Sequence, residues 1–221
     1  MYAIARGSIS QETLVFLAVL VPSIILHEVS HGAAAYLFGD KTAKEAGRLT
    51  LNPLAHIDPF GTIILPTILI LSNARPFGYA KPVPVNSRRM RDPRNHGLMV
   101  ALAGPATNIV LALFSAVLIR AFARDELDAF VRGYASLPLG SEILLSFGLL
   151  NVVLAAFNLI PLPPLDGSAV IERFLPVRLW ASYLRVRQYS MGLLLLVVFL
   201  VPGVLNQIFD RAIDLWAHLI V

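Results

Sequence analysis

Residues 13–38 read TLVFLAVLVPSIILHEVSHGAAAYLF, and this stretch decides the fold. As a helix rising about 1.5 Å per residue it extends roughly 39 Å, enough to cross a hydrocarbon core of about 30 Å and too long for a signal-peptide core. Asp40, Lys41 and Lys44 follow as a stop, and no small-residue cleavage site closes the block, so a retained membrane span is expected. Inside it sit His27, Glu28 and His31, and ionisable side chains at membrane depth mark function by default. Two imidazoles four residues apart share a helix face and can reach one zinc ion, with Glu28 beside them to act on the attacking water. The plainer alternative is a pair of core histidines with an incidental glutamate. An unpaired carboxylate at that depth costs at least about 2.5 kcal/mol, which a bound cation offsets, so the metal reading is preferred.

The rest of the chain agrees with a membrane setting. Of 221 residues 57% are apolar and only 14% charged, a deficit that excludes an ordinary soluble domain. The net charge of +4 fits basic loops beside a lipid surface and gives no reason to invoke nucleic acid. No cysteine is present, so any metal must be held by His, Asp or Glu. Further apolar blocks run over residues 97–122 and 141–160, and a last one over 189–201 meets Pro202-Gly203 and continues as an amphipathic tail. Residues 61–71 are apolar but too short to span, which suits a re-entrant piece. Residues 79–85 alternate like an edge strand with prolines where no ladder donor is needed. The expected fold class is therefore an all-α polytopic membrane protein with about four to five membrane helices plus a short membrane-associated strand or re-entrant region. A single membrane-embedded domain over 1–221 is expected, its core at about 13–170 and a kinked helix at 189–219.

A catalytic zinc takes a third protein ligand. Asp166 stands out: it follows the proline-locked turn Pro161-Leu-Pro163-Pro164 at the end of a long span and precedes Gly167. Two readings stand, a carboxylate delivered to a fixed point or an Asp-Gly turn that caps the next helix. Asn108 could donate its amide to a developing oxyanion, or serve only as an interhelical hydrogen bond. The 79–85 strand, with Val83 and Val85, could pair with an unwound substrate by strand addition, or be an ordinary surface hairpin. His56, between two proline turns, could reach the site behind a ligand but reads better as a loop residue, and Arg88, Arg89, Arg91 and Arg94 read as a solvated juxtamembrane face.

With these residues in view the sequence resembles the site-2 protease family of zinc intramembrane metalloproteases. Three motifs match in order: His27-Glu28-x-x-His31, Gly104-Pro105-x-x-Asn108, and Asn158-x-x-Pro161-x-Pro163-x-x-Asp166-Gly167. The resemblance implies one Zn2+ per chain held by His27, His31 and Asp166, Glu28 as general base, and Asn108 and Asn158 lining the cleft. Residues 49–61 also resemble a segment common in compact bacterial members, which implies a bacterial cell membrane; family members often carry a PDZ or CBS domain, and the expected form is one without either, since 221 residues leave no room for it. The implied partners are the lipid bilayer and a membrane protein substrate with a transmembrane segment. The alternative is a metal-binding scaffold or transporter without peptidase activity, which would have no need of Glu28.

If His27, His31 and Asp166 share one ion, the spans that carry them run parallel, and residues 39–96 return to one side. Of 18 basic residues, 13 then fall on the side of residues 39–96 and 161–188 and 5 on the other. Positive-inside bias places that side, and the metal, toward the cytoplasm.

Overall fold

The computed structural model describes residues 10–58, 64, 68 and 81–220. The re-entrant piece expected at 61–71, apart from those two positions, and residues 79–80 of the expected strand lie outside the described residues. Among the described residues there are nine helices and no strand. They are α1 (Gln11–Leu37), α2 (Thr42–Glu45), α3 (Pro93–Phe122), α4 (Arg124–Val131), α5 (Leu139–Asn158), α6 (Ser168–Phe174), α7 (Val177–Arg187), α8 (Ser190–Leu200) and α9 (Pro202–Ile220). Short 3₁₀ turns lie at Pro53–His56 and Ser87–Arg89. Helices α1, α3 and α5 are long and apolar enough to cross a membrane, and α8 with α9, bent by 80° across their junction, make a fourth if counted as one span.

Helix starts follow from local chemistry. The Ser10 side chain accepts from the Thr13 N–H ahead of α1, and Asp92 accepts from the Asn95 N–H ahead of α3. Pro93 occupies the first turn of α3, where its missing N–H would have had no helical partner.

Hydrogen bonds between helices set the register. His31 bonds Val100 and His27 bonds Asn108, so numbering falls along α1 as it rises along α3. Asn108 bonds Asn151 and Ser115 bonds Leu144, so α5 runs against α3 and parallel to α1. The N-terminal ends of α1 and α5 meet where Gln11 Nε2 donates to Glu142 Oε2 at 2.8 Å. The parallel pair expected from the shared-ion argument is thus present.

The bundle is inverted relative to a soluble protein. Ser23, Asn108, Ser115 and Asn151 are wholly buried, while Phe16, Leu17, Val110, Phe114 and Val117 face outward. Lipid solvates apolar faces freely, but a polar group there must find its partner inside the protein. Small residues at Gly104, Ala112, Ala116 and Ala155 let the backbones approach. At the end away from His31, Trp216 and Ile220 of α9 pack with Ala112, Ala116, Ile119 and Val152, and the indole Nε1 donates to the Ala112 carbonyl at 2.7 Å. The amphipathic tail thus lays its apolar stripe on the bundle.

The strand needs correction in its described part. Residues 81–86, including Val83 and Val85, belong to no sheet. Three of their backbone N–H groups are claimed by other partners: Lys81 donates to the His56 carbonyl, Val83 to Glu28 Oε2 and Asn86 to Asp40 Oδ2. Pro82 and Pro84 have none to give. The segment is a strap tied to α1, and those three donors are not open for pairing.

Candidate metal centre

His27 and His31 lie one turn apart on α1, with Gly104 of α3 facing them. A Cβ at Gly104 would stand 2.4 Å from His31 Nε2 and 2.5 Å from His27 Cε1, so only glycine admits both rings here. Asp166 arrives from the far end of α5. Its turn is pinned where the Gly167 N–H donates to the Asn158 carbonyl at 2.7 Å, and a Cβ on Gly167 would come within 2.3 Å of the Leu159 carbonyl oxygen. The proline-rich turn therefore folds back on the helix it leaves and presents the carboxylate to the two imidazoles.

Three atoms meet. His27 Nε2 and His31 Nε2 are 3.1 Å apart, and Asp166 Oδ2 lies 3.2 Å from the first and 3.3 Å from the second. Four-coordinate zinc with bonds of about 2.0–2.1 Å has tetrahedral edges of roughly 3.3–3.4 Å, close to all three separations. The outer ring nitrogens are held from behind. His31 Nδ1 bonds the Val100 carbonyl at 2.7 Å, and because a carbonyl only accepts, this Nδ1 carries the proton. His27 Nδ1 bonds Asn108 Oδ1 at 2.6 Å in the same sense. With Nδ1 the donor on each ring, Nε2 is the atom turned inward, against a carboxylate oxygen that is itself buried without a hydrogen-bond partner. Three atoms able to act as ligands thus face one point, each imidazole anchored from behind at its other nitrogen. His27, His31 and Asp166 also form the one group among the described residues with the spacing to hold a metal ion.

A cavity of about 570 Å³ opens on this triangle. Glu28, Asn158, Val83 and Val85 line it along with the three candidate ligands. Glu28 is fixed by the Val83 N–H at 2.9 Å, and the Asn158 amide donates back to the Leu154 carbonyl within α5. Of the two readings for Asn108, oxyanion donor or interhelical hydrogen bond, the structure places it as the second. It is wholly buried behind His27, its Oδ1 facing the ring and its Nδ2 donating to Asn151 Oδ1 at 2.7 Å, so its amide is not presented to a substrate oxyanion. His56 stands apart from the triangle, its Nε2 bonded to the Thr50 carbonyl at 2.9 Å.

Two residues that sequence reading passed over shape the surroundings. Asp40, read only as a stop charge, is wholly buried and accepts from the Asn86 N–H at 2.6 Å and the Thr42 N–H at 3.0 Å, anchoring the strap. Burial acts to raise its carboxyl, but the bonds from Thr42 and Asn86 and the nearby Arg89 guanidinium hold it below the ordinary carboxylate range. Asn151 is the second, an amide in the middle of α5 that joins Asn108 to α1. Beside the cavity, burial and the bond to Glu172 push the Tyr183 hydroxyl up to about 12. Of the arginine cluster, Arg89 pairs with Glu45, Arg91 holds the Leu37 carbonyl and Arg94 that of Leu175.

Comparison with known proteins gives the chain its family. Peptidase family M50 matches over residues 15–137. A protein of Bacillus subtilis (strain 168) named "Putative zinc metalloprotease YwhC" is 42% identical over 186 residues, which cover 83% of this chain and 78% of that protein. Proteins named "Putative zinc metalloprotease Rip2" are 33% identical over 187 residues in Mycolicibacterium smegmatis (85% of this chain, 66% of that one) and 32% over 198 residues in Mycobacterium tuberculosis (85% and 70%). No solved structure matches. Taken with the His-Glu-x-x-His helix, these matches establish that the chain belongs to peptidase family M50 and is a zinc metalloprotease.

Proposed function

We propose that this protein hydrolyses peptide bonds in or beside the transmembrane segments of membrane protein substrates, acting as a single membrane-embedded unit in a bacterial cell membrane. The observation that carries this reading is the triangle of His27 Nε2, His31 Nε2 and Asp166 Oδ2, with edges of 3.1–3.3 Å, inside a bundle whose outer faces are apolar. These three residues would hold one zinc ion, which when bound polarises a substrate carbonyl and makes water more acidic.

The remaining chemistry belongs to the protein. Glu28, next to a ligand and lining the cavity, takes a proton from the attacking water and returns it to the leaving amine as the C–N bond breaks. The Val83 N–H orients that carboxylate. A helical substrate shields its carbonyls, so the bond to be cut must lie in a locally extended stretch, and Val83, Val85 and Asn158 border the space it would occupy. The metal-bearing end carries the larger share of basic residues, which supports a cytoplasmic orientation for it.

The test is cleavage of a panel of tagged single-span peptides by purified protein in detergent, comparing wild type with Glu28→Gln at matched zinc occupancy. Loss of cleavage with zinc retained is expected, because the amide cannot accept the proton. Equal cleavage by the variant would remove Glu28 as base. Zinc bound by wild type with no cleavage of any panel member would favour a metal-binding scaffold or transporter.

A further inference from the structure

The orientation of every amide between the metal centre and α1 can be traced from a fixed end. The Ser23 Oγ donates to the Val19 carbonyl at 2.7 Å, and a carbonyl can only accept. Having spent its proton, Ser23 Oγ accepts from Asn151 Nδ2 at 2.9 Å, and the same nitrogen donates to the Phe147 carbonyl at 2.8 Å. Two acceptors on one side fix which end of the Asn151 amide is nitrogen. Its oxygen therefore faces Asn108, whose Nδ2 donates to it at 2.7 Å. That leaves Asn108 Oδ1 for His27, so the proton of His27 sits on Nδ1 and the lone pair on Nε2.

We infer that Asn151 is a positioning residue which, through Asn108, holds His27 in the one tautomer able to bind metal at Nε2. Asn151, Asn108 and Ser23 are all wholly buried, so no solvent competes for these bonds and each amide has its orientation set by its neighbour. Removing the acceptor at 151 frees the Asn108 amide to turn its nitrogen toward His27. Nδ1 must then accept, the ring proton moves to Nε2, and the inward lone pair is lost. His31 is the internal control, since its Nδ1 bonds a backbone carbonyl that cannot turn. The inference rests on His27 as a metal ligand, but the tautomer can be read without metal.

The experiment uses the full chain in detergent at pH 8, with 15N-labelled histidine to report the ring tautomers of the metal-free protein and a competition assay to give zinc affinity. Wild type should show the Nδ1–H form at His27. Asn151→Leu should shift His27 toward the Nε2–H form, leave His31 unchanged and weaken zinc binding about 10- to 100-fold, the usual scale for loss of a partner behind a metal ligand. Asn151→Asp keeps an oxygen toward Asn108 and, held protonated by burial so that its other oxygen donates to the Phe147 carbonyl, should restore the wild-type tautomer and affinity. A folded Asn151→Leu protein with His27 tautomer and zinc affinity unchanged overturns the inference. Where that variant does not fold, an Nε2–H form at His27 in metal-free wild type overturns it equally, as does an Asn151→Asp protein that has switched tautomer. If wild type binds no zinc, the metal reading fails, while the tautomers still decide whether the relay operates.

Discussion

The two halves of the bundle hold together by different means. Near the C-terminal end of α1, the helices are joined by Ser23, His27, His31, Asn108 and Asn151, each bonded at a defined atom. Toward the other end, α3, α5 and α9 meet through Ala112, Ala116, Ile119, Val152 and Trp216, where shape does most of the joining. In lipid neither half gains much from expelling water, so the apolar half relies on close contact and the polar half on bonds whose loss would strand a donor or acceptor. The polar half fixes angles and the apolar half holds the helices in contact. Function and stability should therefore separate along the length of the same three helices.

The largest effect expected from breaking this division is at Gly104. Gly104→Ala forces a methyl within 2.4–2.6 Å of both imidazoles. The rings must leave their shared point, so zinc content should fall from about one per chain toward zero and cleavage should vanish while the helices remain. Metal analysis of purified protein with circular dichroism checks both. Next is Trp216→Ala in the apolar half, which empties the pocket of a nearly buried indole. It should destabilise the protein by roughly 3–5 kcal/mol, read from unfolding in detergent, and leave zinc affinity of the folded fraction unchanged. The smallest is Asp40→Asn, outside both halves, which weakens the anchor of the strap. A loss of about 1–2 kcal/mol at neutral pH is expected. The pH dependence follows from the sign of the shift: the folded Asp40 pKa is depressed, so its stabilising contribution is present above the unfolded value near 4 and is lost as pH falls through the folded value. The gap between wild type and variant in unfolding experiments should accordingly close in acid.

What could be read from sequence divides along similar lines. His27, Glu28 and His31 were legible because helical periodicity alone brings residues four apart together. The parallel course of α1 and α5 was legible because a shared ion demands a common depth. Asp166 was half legible, since a turn before glycine serves a ligand or a cap equally well, and the hydrogen bond of Gly167 to Asn158 that aims it is tertiary. The relay was not legible. Asn151 looks like a lone amide in an apolar helix, although Ser23, His27 and His31, spaced by four on one face, hinted that α5 would need a polar side chain opposite. The strap was misread as a strand because alternation and prolines are all that sequence offers there. Its N–H groups are drawn instead to Glu28 and Asp40, residues far away in the chain.

The most direct measurement is X-ray absorption at the zinc edge on purified protein in detergent, for wild type and Asp166→Ala. One zinc per chain in a four-coordinate shell of nitrogen and oxygen at about 2.0–2.1 Å, with two imidazoles and no sulfur, is predicted for wild type, and a disrupted shell or lost metal for the variant. Wild-type protein without zinc, or a shell unchanged by Asp166→Ala, would contradict the assignment of His27, His31 and Asp166 to a single ion.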